Sequence, residues 1–180
     1  MTEQQVSLFD GIVDSRGDGF INPDGSLQGP FDPLLRNPAL GDAIQKAGAQ
    51  IRFNTSLSAS IREIAILVCA QHWRANYEWW VHRKIAEAEG IDAATLDQIL
   101  VGATPAQPDL AAVQTFLSEL NQTGGVSDRT YESTFELLGE QGVVELTLLS
   151  GYYATISQLL NVFEVPLPEG ETLPFPEPIV

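Results

Sequence analysis

A long apolar segment over residues 142–163 limits the fold of this chain more than any other part of the sequence. Its hydrophobic side chains recur at helical steps almost all the way round: Val143, Leu146, Leu149, Tyr153, Ile156, Leu160 and Phe163. Such a helix is expected to be buried on several sides, at the centre of the fold or in a subunit interface. Small and hydroxyl-bearing residues within the segment make it too polar for a membrane span.

Start and stop signals divide the remaining core into further helices. Asn37 followed by Pro38 predicts a helix that begins there and ends near Phe53. Later helices are predicted over residues 92–101, over residues 109–121 and from a cap at Ser127. Together with the helix pair described below, these elements predict an all-α bundle of about six to seven helices.

The two ends of the chain are predicted to lack regular structure. Residues 1–36 are rich in turn signals such as Asn22-Pro23-Asp24-Gly25, which predict a loop-rich arm that wraps a neighbouring subunit. Prolines from Pro166 onward favour an extended tail over residues 166–180, packed across another subunit. The length suits one domain, residues 1–180, with its helical core over residues 37–165.

Charge is distributed unevenly within a formal net charge of −15. Residues 1–84 hold eight basic and nine acidic groups, whereas residues 85–180 hold one basic and fifteen acidic groups. Nucleic acid and anionic membrane are therefore not expected as partners, since phosphate binding needs clustered Lys and Arg. One cysteine permits no intramolecular disulfide, and neither a signal peptide nor a membrane span is recognisable, so a soluble cytoplasmic protein is predicted.

The segment from Glu63 to His82 carries all three tryptophans and both histidines of the chain. Helical spacing of apolar residues around Glu63 predicts one helix, which begins either at a capping box starting at Ser60 or at Ser58. A second helix is predicted over residues 75–88, ended by Gly90. Two helices joined this closely are expected to lie side by side.

Two carboxylates and one imidazole are expected to converge between these helices. Glu78 and His82 are four residues apart and share a helix face, whereas Glu63 arrives from the preceding helix. Each residue also has a structural interpretation: His82 as a satisfied core histidine, Glu78 as a solvated helix charge and Glu63 as a capping residue. The same three types of side chain form two-carboxylate, one-histidine metal sites, but nothing else in the sequence supports a metal.

The spacing resembles the carboxymuconolactone decarboxylase and alkylhydroperoxidase D-like family. Redox members of that family have the pattern Glu-x11-Cys-x2-Cys-x3-His, which places Ala75 and Glu78 at the cysteine positions and His82 at the histidine position. The segment Tyr-Glu-Trp-Trp-Val-His over residues 77–82 resembles family members without the cysteine pair. The similarity extends over residues 29–165 and implies an alkylhydroperoxidase D-like helical bundle and a homo-oligomer, a trimer or hexamer.

The resemblance implies a cofactor-free lyase or isomerase that transfers protons on a small carboxylated or lactone-type substrate. His82, Glu78 and Glu63 are the predicted catalytic residues, with His82 as the proton donor and the two glutamates tuning it, and no cofactor or metal is predicted. A non-catalytic helical oligomer that binds a small apolar or aromatic ligand is the alternative. Thiol peroxidase chemistry, a third interpretation, lacks its cysteines, since Cys69 is single and lies on an apolar helix face.

Substrate contacts are predicted from aromatic and basic residues near the motif. Tyr77 and Trp79 are candidates to line a pocket for a planar substrate, with core packing as the alternative role. Arg62, Arg74 or Arg83 is expected to hold a substrate carboxylate, with surface ion pairing as the alternative. His72 is predicted to be structural.

Overall fold

The computed structural model of the protein describes residues 1–176, which form eight α-helices. In chain order these are α1 (Glu3–Arg16), α2 (Phe31–Leu34), α3 (Pro38–Phe53), α4 (Ala59–His72), α5 (Asn76–Ala88), α6 (Ala93–Leu100), α7 (Pro108–Thr123) and α8 (Asp128–Val162). The last of these is kinked at Gly139, where the backbone is not helical. Between α1 and α2 the chain makes a 3-10 turn at Asp18–Phe20 and an isolated bridge between Ile21 and Leu27. The prediction of an all-α bundle is confirmed.

The centre of the fold is α4, because eight consecutive residues from Glu63 to Ala70 are buried on every side of it. It packs against α5, α6, α7 and α8. The apolar segment of α8, in contrast, buries one face through residues such as Leu149 and leaves Val144 and Leu148 more than half exposed. No helix in the described part of the chain is long and apolar enough to cross a membrane.

Side-chain caps set most helix starts where the sequence predicts them. Asn37 accepts a hydrogen bond from the backbone N–H of Leu40 at the start of α3, and Ser127 caps α8 in the same way. For α4 the cap is Ser58, which accepts from the N–H of Ile61, so the alternative start at Ser60 is wrong. Glu63 therefore has no capping duty and lies within the buried body of α4.

The N-terminal segment is only partly the loop that its turn signals predict. Residues 3–16 form α1, which begins with a capping box between Thr2 and Gln5. Leu8 and Ile12 are buried and join a small apolar cluster with α2, so burial of one helix face outweighs the polar composition. This cluster packs α1 against α3 of the same chain, where the sequence predicts contact with a neighbouring subunit.

The C-terminal segment is irregular, as its prolines predict, but it folds back onto α5 of its own chain. Phe175 is buried against the ring of Trp79, with 5.8 Å between ring centroids. The amide side chain of Asn76 donates to the carbonyl of Phe175 and accepts from its N–H. The described part of the tail, residues 166–176, thus has contacts within its own chain, its packing across another subunit stays a prediction, and the last four residues of the predicted tail lie outside the described range.

Candidate functional site

Three helices bring four charged side chains together in the interior. Glu63 comes from the middle of α4, Glu78 and His82 from one face of α5, and Arg52 from the last turn of α3. His82 Nδ1 lies 2.7 Å from Glu63 Oε2, and His82 Nε2 lies 2.9 Å from Glu78 Oε1. Arg52 Nη1 lies 3.2 Å from Glu63 Oε1. The expected convergence of two carboxylates and one imidazole is therefore present, with an arginine added.

Burial makes this arrangement costly unless the charges compensate one another. Relative exposure is 1% for Glu63, 5% for Glu78 and 6% for His82. Removal of an ion from water is unfavourable by several kcal/mol unless a partner of opposite charge is held in good geometry. With an imidazolium at His82, the cluster of Arg52, Glu63, Glu78 and His82 contains two positive and two negative charges. We call these four side chains the charge cluster.

The pKa values in the charge cluster follow from this pairing. Burial disfavours the imidazolium, but the charge of Glu78 and the hydrogen bonds with Glu63 and Glu78 outweigh it and raise the pKa of His82 above its usual value. Burial would raise the pKa of Glu63, yet the hydrogen bond and charge of His82, followed by the charge of Arg52, hold it below its usual range. The neighbouring groups thus favour the charged forms of both side chains.

Both ring nitrogens of His82 are occupied, and this restricts its chemistry. An imidazolium donates Nδ1–H to Glu63 and Nε2–H to Glu78 and satisfies both contacts at once. A neutral imidazole has only one N–H, so one contact then requires a protonated carboxyl as donor. The arrangement therefore allows a proton to move between His82 and Glu78 over a 2.9 Å contact, while Glu63 holds the other side of the ring.

A cavity of about 440 Å³ opens onto the charge cluster. Glu78, His82 and Arg52 line it, whereas Glu63 lies behind the imidazole and does not. Its apolar wall consists largely of aromatic side chains: Phe20, Phe31, Tyr77, Trp80, Tyr152 and Tyr153. A pocket of this size with aromatic walls and a few ionisable groups suits a small organic molecule.

Two tyrosines of α8, Tyr152 and Tyr153, line the cavity beside the charge cluster. The Tyr153 ring meets the His82 ring edge to face, with 5.5 Å between centroids, and restricts how the imidazole can turn. The Tyr152 hydroxyl lies directly on the backbone of α3 at Gly48, where a Cβ atom would overlap it. Burial raises the pKa of Tyr152 to about 12, so at neutral pH it is an uncharged hydrogen-bonding group.

Only one of the five candidates for substrate contact, Tyr77, Trp79, Arg62, Arg74 and Arg83, lines this cavity. Tyr77 lies on its wall. Trp79 is 1% exposed and packs into the core, because one helical step rotates it away from the adjacent Trp80, which does face the cavity. Arg62 lies on the far side of Glu63 and donates to the carbonyl of Leu57.

The remaining predicted arginines also point elsewhere. Arg74 lies over the ring of Phe175 and lines a separate hollow under the C-terminal segment. Arg83 pairs with Glu87 and Asp97 on the surface. The cations that do face the cavity are Arg16, Arg52 and Lys84. Arg16 and Arg52 come from α1 and α3. These helices reach the cavity through tertiary packing, which the residue spacing of the segment from Glu63 to His82 cannot predict.

Cys69 occupies a second polar position on α4, apart from the cavity. It is fully buried; its Sγ lies 3.8 Å from Ser150 Oγ and accepts a long hydrogen bond from Asn121. Burial raises the pKa of this thiol to about 11. At neutral pH it is therefore an uncharged, enclosed thiol, in agreement with its prediction as a small core residue. His72 lies outside the cavity and contacts the ring of Trp73.

The charge cluster does not have the geometry of a metal site. Its imidazole nitrogens are both taken up by carboxylates, which leaves neither free as a ligand. Among residues 1–176, no group of three or more His, Cys, Asp or Glu side chains is placed to hold a metal ion.

The sequence matches no family model and no curated protein sequence. Its fold is similar to the crystal structure of a protein of unknown function from Agrobacterium tumefaciens, which is described there as a candidate antioxidant defence protein AhpD. The TM-score is 0.68 at 14% identity, and the match covers 78% of this chain and 99% of the other. The chain therefore has an AhpD-like all-α fold. At this identity the likeness concerns the fold alone.

Proposed function

We propose that this protein is a cofactor-free proton-transfer catalyst, a lyase or isomerase resembling carboxymuconolactone decarboxylase, that acts on a small carboxylated or lactone-type compound. The observation that carries the proposal is the hydrogen-bonded series Glu63–His82–Glu78, which ends at a cavity with aromatic walls. Hydrogen-bonded titratable groups at the wall of a cavity are typical of acid–base catalysis.

Glu78 is the residue that exchanges a proton with the substrate in this proposal. Since both nitrogens of His82 are engaged, the imidazole reaches a substrate only through the carboxyl of Glu78. His82 then acts as the proton reservoir, and Glu63 fixes its orientation and stabilises its charge. This order of roles refines the expectation that His82 is itself the donor.

For an isomerisation, Glu78 removes a proton from the carbon next to a carbonyl, and the electron pair of the C–H bond passes into an enolate. The enolate takes a proton back at a different carbon, and Glu78 is restored as a carboxylate. For a decarboxylation, the electrons of the C–C bond enter the enolate as carbon dioxide leaves. His82 Nε2 passes its proton to the Glu78 carboxylate, Glu78 delivers that proton to the carbon, and the imidazole takes up one replacement proton from solvent before the next turnover.

A second function is favoured by the cavity walls themselves. Six aromatic side chains around about 440 Å³ suit the binding of a flat apolar ligand without any reaction. Thiol-dependent peroxide reduction is not favoured, because it requires a reactive thiolate and a resolving partner, whereas the chain has one cysteine and that thiol is buried. The assembly we propose by resemblance is a homo-oligomer.

The test is proton exchange with solvent. β-Keto acids and unsaturated lactones are incubated with the protein in D2O, and NMR follows deuterium uptake at carbon together with release of carbon dioxide. Glu78→Gln keeps the shape of the side chain but removes its acid–base function, so the exchange rate is expected to fall by about 100-fold or more. Glu136→Gln, an exposed position on α8, is the matched control and should behave as the wild-type protein.

The two functions separate cleanly in this experiment. A protein that binds aromatic compounds but exchanges no proton on any member of the panel is a binding protein. Exchange that survives in Glu78→Gln at the wild-type rate removes Glu78 from the mechanism and contradicts the proposal.

A further inference from the structure

An arginine delivered by the N-terminal helix faces the same cavity, and none of the described carboxylates pairs with it. Arg16 is the last residue of α1, and its guanidinium lies over the ring of Phe31 at 4.3 Å from the centroid. Its Nε is buried without a hydrogen-bond partner. No carboxylate among the described residues lies within ion-pair distance of it.

The charges around the cavity make Arg16 the surplus cation. Arg52, His82, Glu63 and Glu78 sum to zero when the imidazole is protonated, and Lys84 pairs with Glu171 at 2.8 Å. Among the side chains that the structure describes, Arg16 therefore adds one positive charge that no ion pair cancels. Burial, with the nearby charge of Arg52, lowers the pKa of its guanidinium, as expected where a positive charge is unsolvated and repelled.

We infer that the cavity binds a small, flat monocarboxylate and that Arg16 is the residue that holds its carboxylate. The inference rests on the proposed function in that it names the substrate class of the same site. A guanidinium whose face is covered by an aromatic ring presents its N–H edge to a ligand, and this edge matches a carboxylate in a two-pronged contact. Phe20, Tyr77 and Trp80 supply walls suited to an unsaturated body.

Arg16 comes from α1, whereas the arginines predicted from the sequence to hold a carboxylate lie on or near α4 and α5. Arg62, Arg74 and Arg83 all have positions outside the cavity. Arg52 faces it but is already engaged by Glu63. Arg16 thus combines a position on the cavity wall with a guanidinium that has no carboxylate partner among the described residues, and α1 becomes part of the binding site through the residue at its end.

The experiment is isothermal titration calorimetry with benzoate and with benzamide, its neutral counterpart of nearly equal shape. The wild-type protein is expected to bind benzoate at least about tenfold more tightly than benzamide. Arg16→Met keeps most of the side-chain stem but removes the charge; it should weaken benzoate at least about tenfold and change benzamide by less than about twofold. Arg129→Met, at an exposed position on α8, is the matched control and should equal wild type.

Two further variants keep the outcome decisive. Arg16→Lys retains the charge without the fork of N–H donors, so benzoate should weaken by an intermediate factor even if Arg16→Met folds poorly. The proposed function is tested separately by the loss of proton exchange in Glu78→Gln, so the two proposals can fail independently. Benzoate affinity within about twofold of wild type in both Arg16 variants, or wild-type protein that binds benzoate no better than benzamide, would overturn the assignment.

Discussion

The central helix α4 carries two buried polar groups less than two turns apart, and they have opposite fates. Glu63 contacts His82 and Arg52 and lies behind the imidazole, which separates it from the cavity. Cys69 meets only neutral partners, Ser150 and Asn121, in the packed core. Both side chains are at most 1% exposed, so burial alone does not distinguish them.

The difference lies in which groups surround each side chain. Burial raises the pKa of Cys69 to about 11, and its weak hydrogen bonds do not reverse this. Burial acts in the same direction on Glu63, but His82, Arg52 and Arg62 overcome it and hold the pKa below its usual value. Partners rather than depth thus decide which group on α4 is ionised. The chemistry of this AhpD-like fold is accordingly predicted at the carboxylates and not at sulfur.

The largest expected effect is that of Glu63→Gln, which removes the charge on one side of this comparison. Arg52 and His82 then lose their buried counter-charge while the side-chain shape is retained. The free energy of unfolding, measured by urea denaturation at neutral pH, should fall by about 3–5 kcal/mol. Glu136→Gln, at an exposed position, should change it by less than about 0.5 kcal/mol.

A loss below about 1 kcal/mol in Glu63→Gln would mean that the charge cluster is not a compensated set of ions. In that case His82 would be neutral in the folded protein. Glu63 and Cys69 would then differ in side-chain size but not in the effect of charged partners on their ionisation.

The carboxylate and imidazole part of the charge cluster is predictable from the sequence because the spacing that creates it lies within one helix. Glu78 and His82 share a face by helix geometry, and the caps at Asn37, Asp92 and Ser127 start their helices as predicted. The missed helix α1 did carry a signal, the capping box between Thr2 and Gln5. Turn residues further on in the N-terminal segment obscured it.

The rest of the site was not predictable because it depends on contacts between distant elements. Arg16 and Arg52 reach the cavity only because α1 packs on α3 and α3 packs on α8. Trp79 and Trp80 differ by one helical step, and no pattern in the sequence states which of them faces the core. Tyr152 faces the cavity partly because Gly48, more than one hundred residues away, leaves room for its hydroxyl.

The pH dependence of stability is the next, smaller effect, since protonation changes a charge but leaves each side chain in place. The lowered pKa of Glu63 means that its contribution is present above its usual pKa of 4.5 and is lost as pH falls through the folded value. The raised pKa of His82 means that its contribution is complete below 6.5 and is lost as pH rises through the folded value. The charge cluster should therefore stabilise most between these two pH values.

Urea unfolding measured from below pH 4.5 to above pH 6.5 tests the sign of both contributions. His72 has a lowered pKa from burial, so its contribution runs in the opposite direction, and His72→Gln removes it. In that background, stability should decline as pH rises above 6.5, and the additional change His82→Gln should abolish the decline. A decline that is equally steep without His82 would assign it to another group.

The smallest expected effect is that of Cys69→Ala on the free energy of unfolding. Cys69→Ala removes one buried sulfur atom and its weak contacts with Ser150 and Asn121, which should cost about 1 kcal/mol in unfolding free energy. It should leave proton exchange by Glu78 unchanged, because Cys69 does not line the cavity. Peroxide consumption should be equally low in both proteins, since a thiol with a pKa of about 11 forms little thiolate at neutral pH. If the wild-type protein turned over peroxide and Cys69→Ala abolished it, the reactive centre would lie at sulfur, and α4 would carry its chemistry at the position assigned here to packing.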